Sequence, residues 1–236
     1  MKQLLDDLKV WNITLTDKQI NQFNLYSQLL VEWNEKINLT AITDHDEILK
    51  KHFLDSLSFS QSVDSDLSNK TLLDLGTGAG FPGIPIKILF PELNVTLVDS
   101  LNKRVDFLNE IINQLELDNI IAIHSRAEDL AKDDSYREHF DFVVSRAVAN
   151  LSVLSEYCIP FVKVGGMFIA YKTDNSLEEI DSARNAIGIL GGKKPNLNQF
   201  ILPNSDLGRI NVCINKIKNT PKQYPRKAGT PSKKPL

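Results

Sequence analysis

Apolar positions along the chain change their rhythm near Asn69. Before it they recur every three or four residues: Leu4, Leu8 and Trp11, then Ile20, Phe23, Tyr26, Leu30 and Trp33. That spacing places them on one side of a helix. Thr16-Asp17-Lys18-Gln19 supplies a capping box, with Thr16 as the cap and Gln19 reaching back. Asn34 to Thr43 reads as a connector, after which Thr43 or Asp44 caps a further helix through Leu57. Residues 1–68 are expected to form a helical extension whose aromatic stripe packs onto a sheet.

After Asn69 short apolar runs alternate with helical stretches. Strands are expected at 71–75, 94–99, Ile120-Ile121-Ala122-Ile123, Asp141-Phe142-Val143-Val144 and, after Gly165-Gly166, from Met167 to Tyr171. Helices are expected to start at Pro82, over 102–117, through Leu151 and Leu154 to about Pro160, and over 176–188. Gln199 to Leu202 and Ile210 to Ile217 read as two closing strands, the last antiparallel. Strand–helix alternation predicts a doubly wound α/β sheet over residues 69–218. Residues 219–236, rich in Ser, Pro and Lys, read as a tail.

The first strand leads into Gly76-Thr77-Gly78-Ala79-Gly80-Phe81-Pro82-Gly83. Strand, glycine loop and helix start are how a nucleotide-type cofactor is held at the carboxyl edge of a parallel sheet, with an acid about 20 residues on for the ribose. Asp99, closing the second strand, takes that place. Gly78, Gly80 and Gly83 also satisfy the dinucleotide pattern G-x-G-x-x-G. With Gly76 at the strand end and Asp74 before it, however, the loop resembles the first motif of S-adenosylmethionine-dependent methyltransferases.

Ligands of open α/β sheets sit outside the carboxyl ends of the strands. That rule selects Gly76, Thr77, Gly78, Gly80 and Phe81 from the first loop and Asp99 and Ser100 from the second strand. It adds Ala127 and Glu128 after the third, Ser145 and Arg146 at the fourth and Lys172 at the fifth. Glu128 suits an adenine amino group. Lys103 and Arg104 oppose the macrodipole of their helix, by roughly 0.3–1 kcal/mol each, which points to a phosphate or a cofactor carboxylate as their partner. The fourth strand end has Ser145-Arg146-Ala147-Val148, not the Asn/Asp-Pro-Pro-aromatic loop of adenine-amino methyltransferases. Neither cysteine is placed as the nucleophile of a cytosine-C5 enzyme.

Composition narrows the classes. An apolar content of 42% excludes a disordered chain, and no run nears the roughly 18 apolar residues of a membrane span. Acids near Met1 do not fit a signal peptide. Cys158 and Cys213, in apolar runs, read as buried free thiols in a reducing cytoplasm, without zinc spacing. His45 and His52 have no third ligand beside them and read as surface residues, so no metal is expected. Net charge is −3, yet eight bases and no acid lie between Leu207 and Leu236. Lys222, Arg226 and Lys227 of that span join Lys103, Arg104 and Lys172 as candidates for RNA phosphate.

Longer stretches carry a more specific likeness. Leu73 to Pro85, Leu97 to Arg104, Ser125-Arg126-Ala127-Glu128, Ser145-Arg146-Ala147, Trp33 to Ile42 and Tyr224 to Pro231 are similar to motifs of the ribosomal small-subunit methyltransferase G family, also called glucose-inhibited division protein B. The resemblance covers essentially the whole chain. It implies a Rossmann-like class I methyltransferase sheet that uses S-adenosylmethionine to methylate N7 of one guanine, position 527, in 16S rRNA. It also implies cofactor contacts by Gly76, Phe81, Ala127, Glu128 and Arg146. The expected partner is 16S rRNA, in the small subunit or an assembly intermediate, met by a monomer. Guanine N7 carries no proton, so no general base is needed, and Arg146 is the expected positioning residue. Alternatives on the same frame are another RNA site, a small-molecule substrate, or an RNA-binding module without catalysis.

Overall fold

The computed structural model describes residues 1–63 and 66–236. Asp64 and Ser65, inside the span read as helical, lie outside the described residues. Seven strands form one sheet: β1 (Thr71–Leu75), β2 (Asn94–Asp99), β3 (Ile120–His124), β4 (Phe140–Arg146), β5 (Val162–Thr173), β6 (Asn196–Ile201) and β7 (Gly208–Asn215), in the order β3-β2-β1-β4-β5-β7-β6. The first five run parallel, and β7 is antiparallel to both β5 and β6. The order reverses between β1 and β4, the crevice where such sheets bind ligands.

Successive strand residues face opposite layers. Leu72, Val95, Leu97, Val144 and Ile169 join one apolar cluster, whereas Leu73, Val98, Val143 and Phe168 join the other. The first cluster also takes Leu4, Leu8, Phe23, Tyr26, Leu30 and Phe53 from the N-terminal region. The extension is therefore continuous with the core on that face. Its helices run Lys2–Val10 and Asp17–Ile37, and the capping box at Thr16 and Gln19 is formed.

Several boundaries differ from the sequence reading. The second helix runs on to Ile37 and ends on Asn38 in a left-handed conformation, so the connector is shorter. Asp44 caps the next run, which passes from an α-turn at His45–Glu47 into a π-helix at Ile48–Leu54. Pro82 precedes the helix Gly83–Leu89 rather than opening it. Strand β5 begins at Val162, ahead of Gly165-Gly166, because Val162 pairs with Phe140 before a register shift. The stretch expected as one helix is two, Leu177–Ser182 and Arg184–Leu190. The Ser182 hydroxyl donates to the Glu179 carbonyl there, in competition with the helix ladder.

Candidate functional site

The glycine loop is stapled from three directions. The amides of Gly76 and Thr77 both donate to Val98 O, at 2.8 and 3.1 Å, which ties the loop to β2. Beneath it, Asp74 Oδ2 accepts from Thr77 Oγ1 at 2.6 Å and from the Gly83 amide at 2.8 Å. From the N-terminal side, the buried Tyr26 hydroxyl donates to Ala79 O. A side chain at Gly80 would meet Ile84 and this same hydroxyl within 3 Å, so the close approach of the extension requires glycine. Gly78 is different: its φ is +62° and the space at its missing Cβ is open, so a ligand can approach the main chain.

Beside the loop lies a cavity of about 480 Å³, walled in part by Gly76, Asp99, Ser100, Arg104, Ala127 and Glu128. That size is within the about 300–1,000 Å³ typical of small-molecule sites. Asp99 Oδ2 accepts from the Gly78 amide at 2.9 Å and Oδ1 from the Leu101 amide at 2.9 Å, so its carboxylate is held rigidly. Arg104 Nη1 adds a 3.4 Å ion pair. Oδ1, with a single donor, keeps spare acceptor capacity for a ribose hydroxyl. Glu128 is 7% exposed and lines the same wall. Acidic acceptors facing an open glycine loop suit a ligand with amino and hydroxyl donors. Thr77, Gly78, Gly80, Phe81 and Arg146 do not form this wall.

Arg146, at the end of β4, belongs to a second constellation. Its Nη1 donates to Asp55 Oδ2 at 2.8 Å and to Lys51 O at 2.9 Å, and its Nη2 lies 3.1 Å from His52 Nδ1. The guanidinium sits 5.2 Å from the Phe81 ring centroid, and the His52 ring stacks on Phe81 at 4.5 Å. Among the described residues three of five guanidinium N–H groups are thus committed, leaving two. His52 is no surface residue, contrary to expectation. Burial first, and then the Arg146 charge, lower its pKa to about 3. It is neutral, with Nδ1 accepting from Arg146 and Nε2 bonded to Thr40 Oγ1 at 2.9 Å. His45 is exposed, with Nδ1 3.1 Å from Ser27 Oγ. Asp55 escaped the sequence reading, and His52 was read only as a surface residue, because both lie far in sequence from every strand end. The π-helix that carries His52 leaves no signal in the apolar spacing.

A family model described as rRNA small subunit methyltransferase G matches residues 19–207. The chain belongs to this family. It is 53% identical over 232 residues to a ribosomal RNA small subunit methyltransferase G of Lachnoclostridium phytofermentans, covering 98% of this chain and 96% of that one. It is 51% identical over 236 residues to one of Clostridium perfringens, covering 100% and 97%. Among solved structures it resembles TYW2 of M. jannaschii in complex with AdoMet, with 16% identity and a TM-score of 0.52 over 65% of this chain and 72% of that one. A variant of the 16S rRNA (adenine(1408)-N(1))-methyltransferase from Catenulisporales acidiphilia has 13% identity and a TM-score of 0.53, over 66% and 96%. The two structures establish the Rossmann-like methyltransferase fold. The chain is an S-adenosylmethionine-dependent methyltransferase.

On this member of the methyltransferase G family the candidate basic residues divide. Lys103, Lys222 and Lys227 are exposed, and Arg104 is turned to Asp99 on the cavity wall. Lys172 is not available to RNA as expected. Its Nζ pairs with Glu179 Oε1 at 2.6 Å and donates to Ala149 O at 3.0 Å, fixing the loop after β4. Arg226 is likewise committed, forked onto Glu156, whose side chain is 1% exposed. The tail is folded against the domain: Thr220 and Pro231 are buried. Cys158 and Cys213 are buried free thiols, as read from their apolar runs.

Proposed function

We propose that the chain transfers a methyl group from S-adenosylmethionine to N7 of a single guanine of 16S rRNA, position 527 in the 530 loop, in the cytoplasm. When bound, the cofactor supplies an electrophilic methyl on a sulfonium. Gly76, Asp99, Ser100, Ala127 and Glu128 of the cavity wall are the residues fitted to hold it, with Gly78, bonded to Asp99, beside them. Open space at Gly78, whose amide is bonded to the cavity acid Asp99, supports that reading.

The observation that carries the N7 assignment is the state of the titratable groups around Arg146. His52 is held neutral with its Nδ1 lone pair engaged by Arg146. Asp74 is sealed under the loop by Thr77 and Gly83. Neither is arranged as a general base. Guanine N7 needs none, since its lone pair is free. What remains for the protein is orientation, which lowers a barrier by fixing both reactants. The two uncommitted N–H groups of Arg146 suit guanine O6. They must leave N7 free, so the bidentate O6/N7 contact of DNA readers does not apply in the reactive pose.

Mapping methyl groups by mass on 16S rRNA, with and without the protein, tests the site. Naked RNA, assembly intermediate and finished subunit are compared as substrates. One added methyl on N7 of that guanine is expected; a methyl elsewhere overturns the assignment. Arg146→Ala is expected to slow single-turnover methylation at saturating cofactor, and Arg146→Lys to recover part, because lysine lacks the planar fork. The rate is expected to stay flat from about pH 6.5 to 8.5, whereas a reaction gated by a histidine-like base near pKa 6.5 rises across that window. A wild-type rate in Arg146→Ala removes the positioning role.

A further inference from the structure

Residues 220–236 reach the cavity that the glycine loop opens. The Thr220 amide donates to Glu138 Oε1 at 2.7 Å, and Arg137 donates to Thr220 O and Tyr224 O, both at 2.9 Å. The anchor is Arg226. Its amide and Nε meet Glu156 Oε1 at 2.8 and 2.9 Å, and its Nη2 meets Oε2 at 2.6 Å. Glu156 lies on the helix Leu151–Cys158, so the fork docks the segment along that helix. The chain then turns at Gly229, φ +79°, whose amide donates to Glu128 Oε1 at 3.3 Å and which itself lines the cavity. Farther on, Ser232 Oγ lies 3.1 Å from the hydroxyl of Tyr157, another cavity residue, and the Ser152 hydroxyl donates to Leu236 O at 2.9 Å.

The Gly229 amide engages Oε1 of Glu128 and not Oε2. One carboxylate oxygen is steadied from the segment while the other is left for a ligand. A buried acid such as Glu156 also needs its partner, because an unpaired buried charge is strongly destabilising. The Arg226 charge is therefore spent inside the protein.

We propose that residues 224–236 are a strap that completes the cofactor cavity, holding Glu128 through Gly229 and Tyr157 through Ser232, and so setting the affinity for S-adenosylmethionine. This rests on the reading of the cavity as the cofactor site. The segment serves the cofactor first and RNA second, the reverse of what its charge suggests.

Calorimetric titration with S-adenosylmethionine tests it, on the full chain and on a chain ending at Gln223 that also carries Glu156→Gln, so that no unpaired carboxylate remains. About tenfold weaker binding or more is expected on truncation. Arg226→Ala is expected to weaken binding comparably, and Arg226→Lys to restore part of it, since lysine offers one contact in place of a fork. Gly229→Ala meets no neighbouring atom and acts through φ alone; about threefold weaker binding is expected. Circular dichroism establishes that each variant is folded, and titration well below each melting point separates affinity from stability. Affinities within twofold of the full chain in the folded variants overturn the strap. If the full chain itself does not bind S-adenosylmethionine, the cavity reading fails and the strap with it.

Discussion

The carboxylate of Asp74 is fully buried, yet only one of its oxygens is bonded: Oδ1 has no partner among the described residues. Burial raises its pKa from 3.8 to about 7, against the bonds from Thr77 and Gly83 and the charge of Arg146, with Asp99 pushing the same way as burial. In the unfolded chain the group ionises near its ordinary value. The folded state therefore binds the extra proton between about pH 4 and 7. The stabilisation from this group is complete below about pH 4, falls as pH rises, and is gone above about 7. Asp74→Asn is expected to remove that slope. Melting temperatures of both proteins from about pH 5 to 8 check it; parallel curves would show that Asp74 does not titrate there. At Gly78 the φ of +62° costs an L-residue roughly 1–2 kcal/mol, and a valine adds bulk in the loop's open space. Gly78→Val is expected to fold with about that loss of stability and to bind S-adenosylmethionine at least tenfold more weakly. Calorimetry checks it, and wild-type affinity would take the loop out of the cofactor site.

At the scale of elements, the ends of the helices do the positioning. The helix Leu151–Cys158 starts where β4 delivers Arg146 and its loop, and its first turn is secured twice. Asn150 caps the Ser152 amide at 3.1 Å, and Glu179, from a neighbouring helix, accepts from the Leu151 amide while pairing with Lys172. Val148 of that loop stands over Gly76, where an added Cβ would lie 2.5 Å from its Cγ2. The loop after β4 and the glycine loop are thus packed together, and Glu179 sets the first against the second. Glu179→Ala leaves the Leu151 amide without its acceptor and the Lys172 ammonium with Ala149 O alone, a loss of about 1–3 kcal/mol. Urea unfolding is expected to show that loss, with faster exchange of the Leu151 amide than of amides in β1. Unchanged exchange at Leu151 would mean that Asn150 suffices.

Across the whole molecule, the bases of the last thirty residues divide into paired and exposed ones. Of the eight bases between Leu207 and Leu236, Arg209 pairs with Asp55, Lys216 with Glu138 and Arg226 with Glu156. Lys218, Lys222, Lys227, Lys233 and Lys234 stay exposed. Binding of small-subunit RNA is expected to weaken with salt according to the number of phosphates contacted. Changing Lys222 and Lys227 to Gln should make that salt slope shallower by up to about two. An unchanged slope would assign these lysines to solvent. The same pairing joins the N-terminal extension to the sheet, because Asp55 carries Arg146 on one oxygen and Arg209 on the other.

The sequence by itself determined the sheet, the glycine loop and five of the residues that wall the cavity. Periodicity and glycine spacing are local signals, and the carboxyl-edge rule converts strand order into a place. Gly76, Asp99, Ser100, Ala127 and Glu128 were legible for that reason. Only the tertiary structure decided which charges are free. Lys172, Arg226 and Arg146 look alike in a sequence, yet each meets an acid distant in the chain or on another element: Glu179, Glu156 and Asp55. His52 was hidden for the same reason, since its neutrality comes from burial beside Arg146, 94 positions away. The tail shows the limit most clearly. Its composition describes a solvated basic segment, but whether Arg226 meets solvent or a buried carboxylate depends on where the helix carrying Glu156 comes to rest, and packing alone fixes that.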